Sequence, residues 1–144
     1  MYQNFEETTN VELIGWGLNE YNTNIYLKIN LTICIENILF FQTFGTLQSI
    51  LQKVELELVT LANCRRELNA FLQESHLCAA DVGQKKGQCS GDSGGPLLYN
   101  HNIQIGVVSW SLKPCAKKPG VFTSVKHYLS WIYETINRTI TYKV

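Results

Sequence analysis

The chain has 144 residues, of which 45% are hydrophobic and 17% charged, and its 12 lysines and arginines balance its 12 aspartates and glutamates. This length fits one domain with its own hydrophobic core, and the composition excludes an intrinsically disordered chain. A formal net charge of zero gives no electrostatic attraction to nucleic acid or to an anionic membrane, so we expect neither as a partner.

Short strands and turns follow one another along the chain, and a helix ends it. The stretch 52–59 alternates polar and apolar residues, which is the period of a strand with one buried face. Apolar residues from Val125 to Ile136 have helical spacing and predict an amphipathic helix. The other predicted elements are strands within 11–17, 77–80, 96–99, 103–110 and 120–123, and a short helix within 61–72. This order predicts an all-β antiparallel barrel with a C-terminal α-helix.

Residues 22–44 differ in character from the rest of the chain. They consist largely of Ile, Leu, Phe and Asn, contain no glycine or proline, and are interrupted by Lys28 and Glu36. Their uninterrupted apolar runs are too short to span a membrane. The segment also holds Cys34, one of the five cysteines of the chain.

The loop at 87–96 (GQCSGDSGGP) carries the strongest chemical signal. A nucleophilic serine needs a tight turn that exposes its hydroxyl, and backbone N–H groups directed at the developing oxyanion. Glycines on both sides of Ser93 permit that geometry and leave room for a substrate. A glycine-rich loop without a catalytic role would not require Cys, Asp, Ser and Pro at these offsets, so we interpret Ser93 as a nucleophile.

Residues 91–96 (GDSGGP) resemble the nucleophile motif of the trypsin/chymotrypsin family of serine proteases. The resemblance extends over most of the chain outside 22–44. The other matching segments are the turn at 15–17, the strand at 107–110, the stretch 119–122 and the helix at 128–132. The resemblance implies that 1–144 is a partial peptidase domain, namely the second barrel of the two-barrel chymotrypsin-like fold, with the first barrel absent.

The resemblance also implies two disulfide bonds, Cys64–Cys78 and Cys89–Cys115, which would leave Cys34 unpaired. Disulfides form in oxidising compartments, so we expect a secreted protein. Residues 1–7 lack the basic start and apolar stretch of a signal peptide, and we therefore expect the true start of the protein upstream.

Functional roles follow from the resemblance residue by residue. Ser93 falls at the nucleophile, and the backbone N–H groups of Gly91 and Ser93 fall at the oxyanion hole. Asp92 falls at the carboxylate that pairs with the new N-terminal ammonium when a zymogen of this family is cleaved.

The resemblance places the specificity pocket at Gly87, Ser109, Trp110, Ser111 and Gly120. Gly87 falls at the pocket floor and supplies no charge, so a substrate arginine or lysine would be left unpaired. Gly120 is expected to leave the back wall open, and Ser111 to narrow the pocket. These residues favour an uncharged substrate side chain, aromatic or medium apolar.

The chain shows no counterpart of the histidine base or of the aspartate that orients it. Its only histidines are His76, His101 and His127, and none has the Ala-Ala-His-Cys setting of the family. Its only aspartates are Asp81 and Asp92. We therefore expect this chain alone to be inactive, with the histidine and aspartate supplied by sequence outside it.

Segment 22–44 has no place in the family pattern, because residues 15–21 would join 45–48 as a short loop. One hypothesis is a translated intron, since its residue types are those of A/T-rich codons. The alternative is a genuine loop insertion, although long loops without a function are uncommon.

The sequence thus favours a secreted serine-type endopeptidase acting on protein or peptide substrates, with protein protease inhibitors as a further class of partner. No cofactor or metal is implied, because the cysteines match disulfides and no histidines have ligand spacing. The alternative is a non-catalytic protease homologue that binds a protein partner, and the intact loop around Ser93 counts against it.

Overall fold

The computed structural model describes residues 9–19 and 46–141, and segment 22–44 with Cys34 lies outside these residues. The strands are β1 (Asn10–Gly15), β2 (Leu18–Asn19), β3 (Thr46–Leu47), β4 (Gln52–Val59), β5 (His76–Ala80), β6 (Pro96–Tyr99), β7 (Ile103–Trp110) and β8 (Gly120–Ser124). The helices are α1 (Leu61–Leu68) and α2 (Val125–Thr141). Every predicted element is present. Helix α1 lies within the predicted stretch 61–72, whereas α2 continues beyond residue 136, where the predicted helix ended.

Six of the strands close into an antiparallel barrel, in the order β1-β4-β5-β8-β7-β6. Strand β6 returns to β1, where Leu97 pairs with Leu13, and this pairing closes the sheet. Strands β2 and β3 form a separate two-stranded sheet. Closure leaves the barrel without an unpaired edge strand. The predicted all-β barrel with a C-terminal helix is therefore confirmed.

The interior of the barrel is filled by apolar side chains from its strands. In β4, Leu56 and Leu58 are buried while Glu55 is exposed, as the alternating pattern predicts. Phe122 of β8 and Leu97 of β6 belong to the same cluster and are fully buried. Burying a side chain of this size stabilises the fold by about 1.5–3 kcal/mol, so the alternation determines which face of each strand points inward.

Helix α1 packs on the outside of the barrel. The Thr60 hydroxyl caps it by accepting a hydrogen bond from the Asn63 N–H (3.3 Å), and Asn69 ends it in the left-handed conformation at φ 48°. A disulfide between Cys64 and Cys78 joins the helix to β5, with the two Cα atoms 6.4 Å apart. Closing a loop of this length contributes about 3 kcal/mol.

Helix α2 follows β8 directly, and the Ser124 hydroxyl accepts a hydrogen bond from the His127 N–H (3.4 Å). The predicted helix is present, but the barrel does not cover its whole apolar stripe. Tyr128, Trp131 and Ile136 remain 40%, 63% and 51% exposed. Neither helix in the described part of the chain combines the length and apolarity that crossing a bilayer requires.

Candidate active site

The loop between β5 and β6 is attached to strands on two sides. The Gly94 N–H donates to the Val108 carbonyl (3.1 Å), and the Val108 N–H donates to the Gly95 carbonyl (2.9 Å). Elsewhere in the loop, the Ser90 carbonyl accepts from the Leu18 N–H (2.8 Å). The barrel therefore sets the position of this loop.

The backbone turns sharply on either side of Ser93. Gly91 has a φ of 100° and Gly94 a φ of 83°. Glycine adopts such angles readily, whereas another residue would pay about 1–2 kcal/mol for a left-handed conformation. The side chain of Ser93, between them, is exposed to solvent. The turn thus presents the hydroxyl in the way that a nucleophile requires.

Asp92 points its carboxylate into the protein and is only 9% exposed. Its Oδ1 accepts a hydrogen bond from the Gly17 N–H (2.7 Å), and its Oδ2 accepts one from the Cys89 N–H (2.9 Å). Both bonds are charge-assisted, and such bonds are stronger than those between neutral groups. Asp92 therefore connects the loop that carries Ser93 to the turn that follows β1.

Two backbone N–H groups of the turn that carries Ser93 make no hydrogen bond within the described part of the chain. Those of Gly91 and Ser93 have no acceptor among residues 9–19 and 46–141, whereas the Asp92 N–H between them donates to the Cys89 carbonyl (3.1 Å). Paired donors of this kind can stabilise a developing oxyanion.

All three histidines of the chain lie within the described residues, and none hydrogen-bonds to Ser93. The Nδ1 of His101, in the β6–β7 turn, lies 2.8 Å from the Glu12 carboxylate. The Nδ1 of His76 accepts from a backbone N–H of the preceding turn (3.1 Å), and the ring of His127 packs on a neighbouring tyrosine. Within the described ranges, no three His, Cys, Asp or Glu side chains are grouped as metal ligands would be.

The residues expected to form a specificity pocket come from three segments. Ser109 is exposed and lies in an irregularity of β7, where the register shifts between Val108 and Trp110. Such bulges often occur beside functional sites. Ser111 is half-buried after the end of β7, and a Cβ on Gly87 would lie 3.2 Å from the Ala116 Cα.

Gln88, a residue that the sequence analysis missed, joins these segments. It is 3% exposed, and its Nε2 donates to the Trp110 carbonyl (2.6 Å). Its Cδ lies 2.7 Å from the position that a Cβ on Gly120 would occupy. The space above Gly120, expected to be open, is therefore taken by the Gln88 amide. The one signal in the sequence was a long polar side chain between Gly87 and Cys89.

A second disulfide lies at the same place, between Cys89 and Cys115, with the Cα atoms 5.4 Å apart. It ties the loop that carries Ser93 to the loop after β7. Both disulfide pairings that the resemblance implied are thus present in the structure.

A cavity of about 760 Å³ borders the Asp92 carboxylate, and Leu13, Gly17, Gly87 and Ala116 are among the residues that line it. A carboxylate that is buried but borders a cavity can pair with a cationic group that enters it.

Known proteins are similar to this chain in sequence. The protein family described as Trypsin matches residues 39–132, a range that begins inside segment 22–44. The chain is 38% identical over 95 residues to Kallikrein-7 of Homo sapiens, and this alignment covers 65% of this chain and 37% of that protein. It is 44% identical over 88 residues to Kallikrein-2 of Homo sapiens, an alignment that covers 60% of this chain and 33% of that protein. It is 38% identical over 94 residues to Trypsin-4 of Rattus norvegicus, an alignment that covers 64% of this chain and 37% of that protein. The chain thus spans roughly a third of the length of these relatives. Because the family match covers most of the chain, including the loop around Ser93, the chain belongs to the trypsin family of serine proteases.

Proposed function

We propose that the protein is a serine-type endopeptidase that cleaves peptide bonds through Ser93. The observation that carries this proposal is the turn at 91–94, in which Ser93 is exposed between two glycines of positive φ. The N–H groups of Gly91 and Ser93 in this turn have no acceptor among the residues that the structure describes. A surface loop with no chemical role has no need for two glycines in left-handed conformations on either side of one serine.

In the proposed reaction, the Ser93 Oγ attacks the carbonyl carbon of the substrate, and its proton passes to a histidine base. The N–H groups of Gly91 and Ser93 stabilise the resulting oxyanion. The C–N bond then breaks as the histidine gives the proton to the leaving amine, and an acyl-enzyme remains. Water attacks this ester, its proton returns through the histidine to the Ser93 Oγ, and the acid product leaves.

The histidine and the aspartate that orients it belong, in this proposal, to a first barrel outside the 144 residues. The histidines of the chain itself make their hydrogen bonds away from Ser93. A serine hydroxyl without a base is a poor nucleophile at neutral pH. We therefore propose that the 144-residue chain alone is inactive.

Asp92 is proposed as the activation carboxylate. In active members of the family an N-terminal ammonium pairs with this residue, and here the carboxylate borders a cavity through which such a group could reach it. The hydrogen bonds from Gly17 and Cys89 already hold the carboxylate in that direction.

The proposed specificity is for an uncharged side chain at the residue before the cleaved bond. None of the five pocket residues (Gly87, Ser109, Trp110, Ser111 and Gly120) carries a charge, so a substrate arginine or lysine would be buried without a partner. From the sequence alone, aromatic or medium apolar side chains are favoured within this class.

We propose that the enzyme is secreted and acts on proteins or peptides, with protein protease inhibitors as further partners. Two disulfides in a chain of this size support an oxidising environment.

A fluorophosphonate probe, which reacts with activated serines, tests the proposed activity. The material is the full-length protein expressed from its complete transcript, and the site of labelling is found by mass spectrometry. We expect labelling at Ser93, its loss in Ser93→Ala, and unchanged labelling in Ser90→Ala, an exposed serine of the same loop. Folded full-length protein that takes up no probe would contradict the proposal and favour a non-catalytic homologue that binds a protein partner.

A further inference from the structure

The side chain of Gln88 has an unusual property among the described residues. It is the one side chain there with a buried polar atom that lacks a hydrogen-bond partner, since its Nε2 donates to the Trp110 carbonyl while its Oε1 accepts nothing. Burying an amide oxygen without a donor costs free energy, and an apolar side chain of similar size would avoid that cost. Gln88 therefore does not serve stability, and we look for its role in the space that its side chain fills.

That space lies between the walls of the specificity pocket. Trp110 pairs with Val121, the neighbour of Gly120, so the ends of β7 and β8 lie side by side. The Gln88 side chain extends from the loop that carries Ser93, bonds to Trp110, and places its Cγ 3.0 Å from the position of a Cβ on Gly120. One amide therefore contacts both strands that bound the pocket.

We propose that Gln88 closes the base of the specificity pocket, which then accepts small uncharged side chains such as those of alanine and serine in preference to aromatic ones. This inference rests on the proposed function and narrows its uncharged preference. A phenylalanine ring would have to occupy the volume of the Gln88 amide, because both would lie between Trp110 and Gly120. Closely packed interiors do not absorb a group of that size without displacing side chains or backbone.

Two peptide diphenyl phosphonates that differ only in their last side chain test this inference on the full-length protein. One carries the side chain of alanine and the other that of phenylalanine. In both, the Ser93 Oγ attacks phosphorus and displaces one phenol, which leaves Ser93 phosphonylated. A fluorophosphonate without a side chain measures the reactivity of Ser93 independently. We expect the alanine reagent to react at least about tenfold faster than the phenylalanine reagent, the size of effect that pocket shape produces.

Two substitutions at the same position separate volume from hydrogen bonding. Gln88→Ser removes the amide and opens the pocket, so the phenylalanine reagent should react about tenfold faster than in the wild type and overtake the alanine reagent. Gln88→Leu keeps most of the volume and removes both polar atoms, so it should retain the preference for alanine. The matched control is Gln104→Ser, since Gln104 is an exposed glutamine of β7 whose Nε2 also donates to a backbone carbonyl, that of Gly106 (3.3 Å).

Equal rates with the two reagents in the wild type, or faster reaction with phenylalanine, would overturn the inference. The inference would also fail if the Gln88→Ser variant still reacts with the fluorophosphonate but keeps the wild-type ratio of the alanine rate to the phenylalanine rate. If Gln88→Ser does not fold, the wild type and Gln88→Leu still test the inference, because it requires both of them to react faster with the alanine reagent than with the phenylalanine reagent. Absence of fluorophosphonate labelling in the wild type would instead overturn the proposed function, and this inference with it.

Discussion

Replacing Asp92 tests whether one buried carboxylate holds the loop that carries Ser93 to the turn after β1. The carboxylate accepts two N–H groups, from Gly17 at 2.7 Å and from Cys89 at 2.9 Å. A hydrogen bond to a charged group contributes about 1.5–3 kcal/mol, and Asp92→Ala removes both acceptors at once. Because water can reach the half-buried Gly17 and recover part of this loss, we expect Asp92→Ala to lower the free energy of unfolding by about 3–5 kcal/mol.

Asp92→Asn separates charge from shape in the same experiment. The asparagine keeps one oxygen for the Gly17 N–H, but its amino group faces the Cys89 N–H, which leaves two donors opposed. We expect a loss of about 2 kcal/mol, between the wild type and the alanine variant.

Both variants are compared by urea denaturation of the protein with its disulfides intact. Ser90→Ala serves as the control, because Ser90 is exposed and its side chain is expected to contribute within about 0.5 kcal/mol. An Asp92→Ala variant within about 1 kcal/mol of the wild type would show that Asp92 does not hold the loop in this way, since the two bonds together would then contribute no more than neutral hydrogen bonds do.

Two further predictions concern Glu12 in strand β1 and Gly94 in the loop that carries Ser93. Hydrogen bonds from Lys53 and His101 hold the pKa of Glu12 below its ordinary value of 4.5, so the stability that this carboxylate contributes is present above pH 4.5 and is lost as the pH falls below it. The urea midpoint should therefore fall more steeply below pH 4.5 in the wild type than in Glu12→Gln, and equal slopes would contradict this assignment. Gly94→Ala should lower the free energy of unfolding by about 1–2 kcal/mol, because alanine is strained at the φ of 83° found there. Steric contact adds nothing, since the new Cβ would have no atom within 4 Å. An unchanged melting temperature would exclude backbone strain as the reason for glycine at this position.

The kinds of secondary structure could be predicted from the sequence because each depends on a local pattern. Alternation at 52–59 places Leu56 and Leu58 on one face, and the structure buries both. The ends of the helices were less accessible to this reasoning. Asn69 stops α1 by adopting a left-handed conformation, a choice that depends on the loop it leads into, whereas no proline or glycine stops α2 before residue 141.

The exposed stripe on α2 shows a different limit of sequence reasoning. Helical spacing of Trp131 and Ile136 predicts that one face is apolar, and it does so whether or not that face is covered. In the structure both side chains are more than half exposed. The covering surface is a property of what surrounds the helix, and spacing along the helix holds no information about it.

The candidate site likewise has one part that the sequence predicts and one part that it does not. The motif at 91–96 specifies a backbone, because glycines at 91 and 94 are required by the angles found there, and this part was predictable. The role of Gln88 depends instead on a side chain that crosses to two other segments. Its direction follows from the disulfide at Cys89, from the register of β7 against β8, and from the absence of a side chain at Gly120. Any one of these alone would leave room for several orientations. Tertiary packing therefore sets the position of the Gln88 amide between Trp110 and Gly120, even though every residue that surrounds the amide could be identified from the sequence.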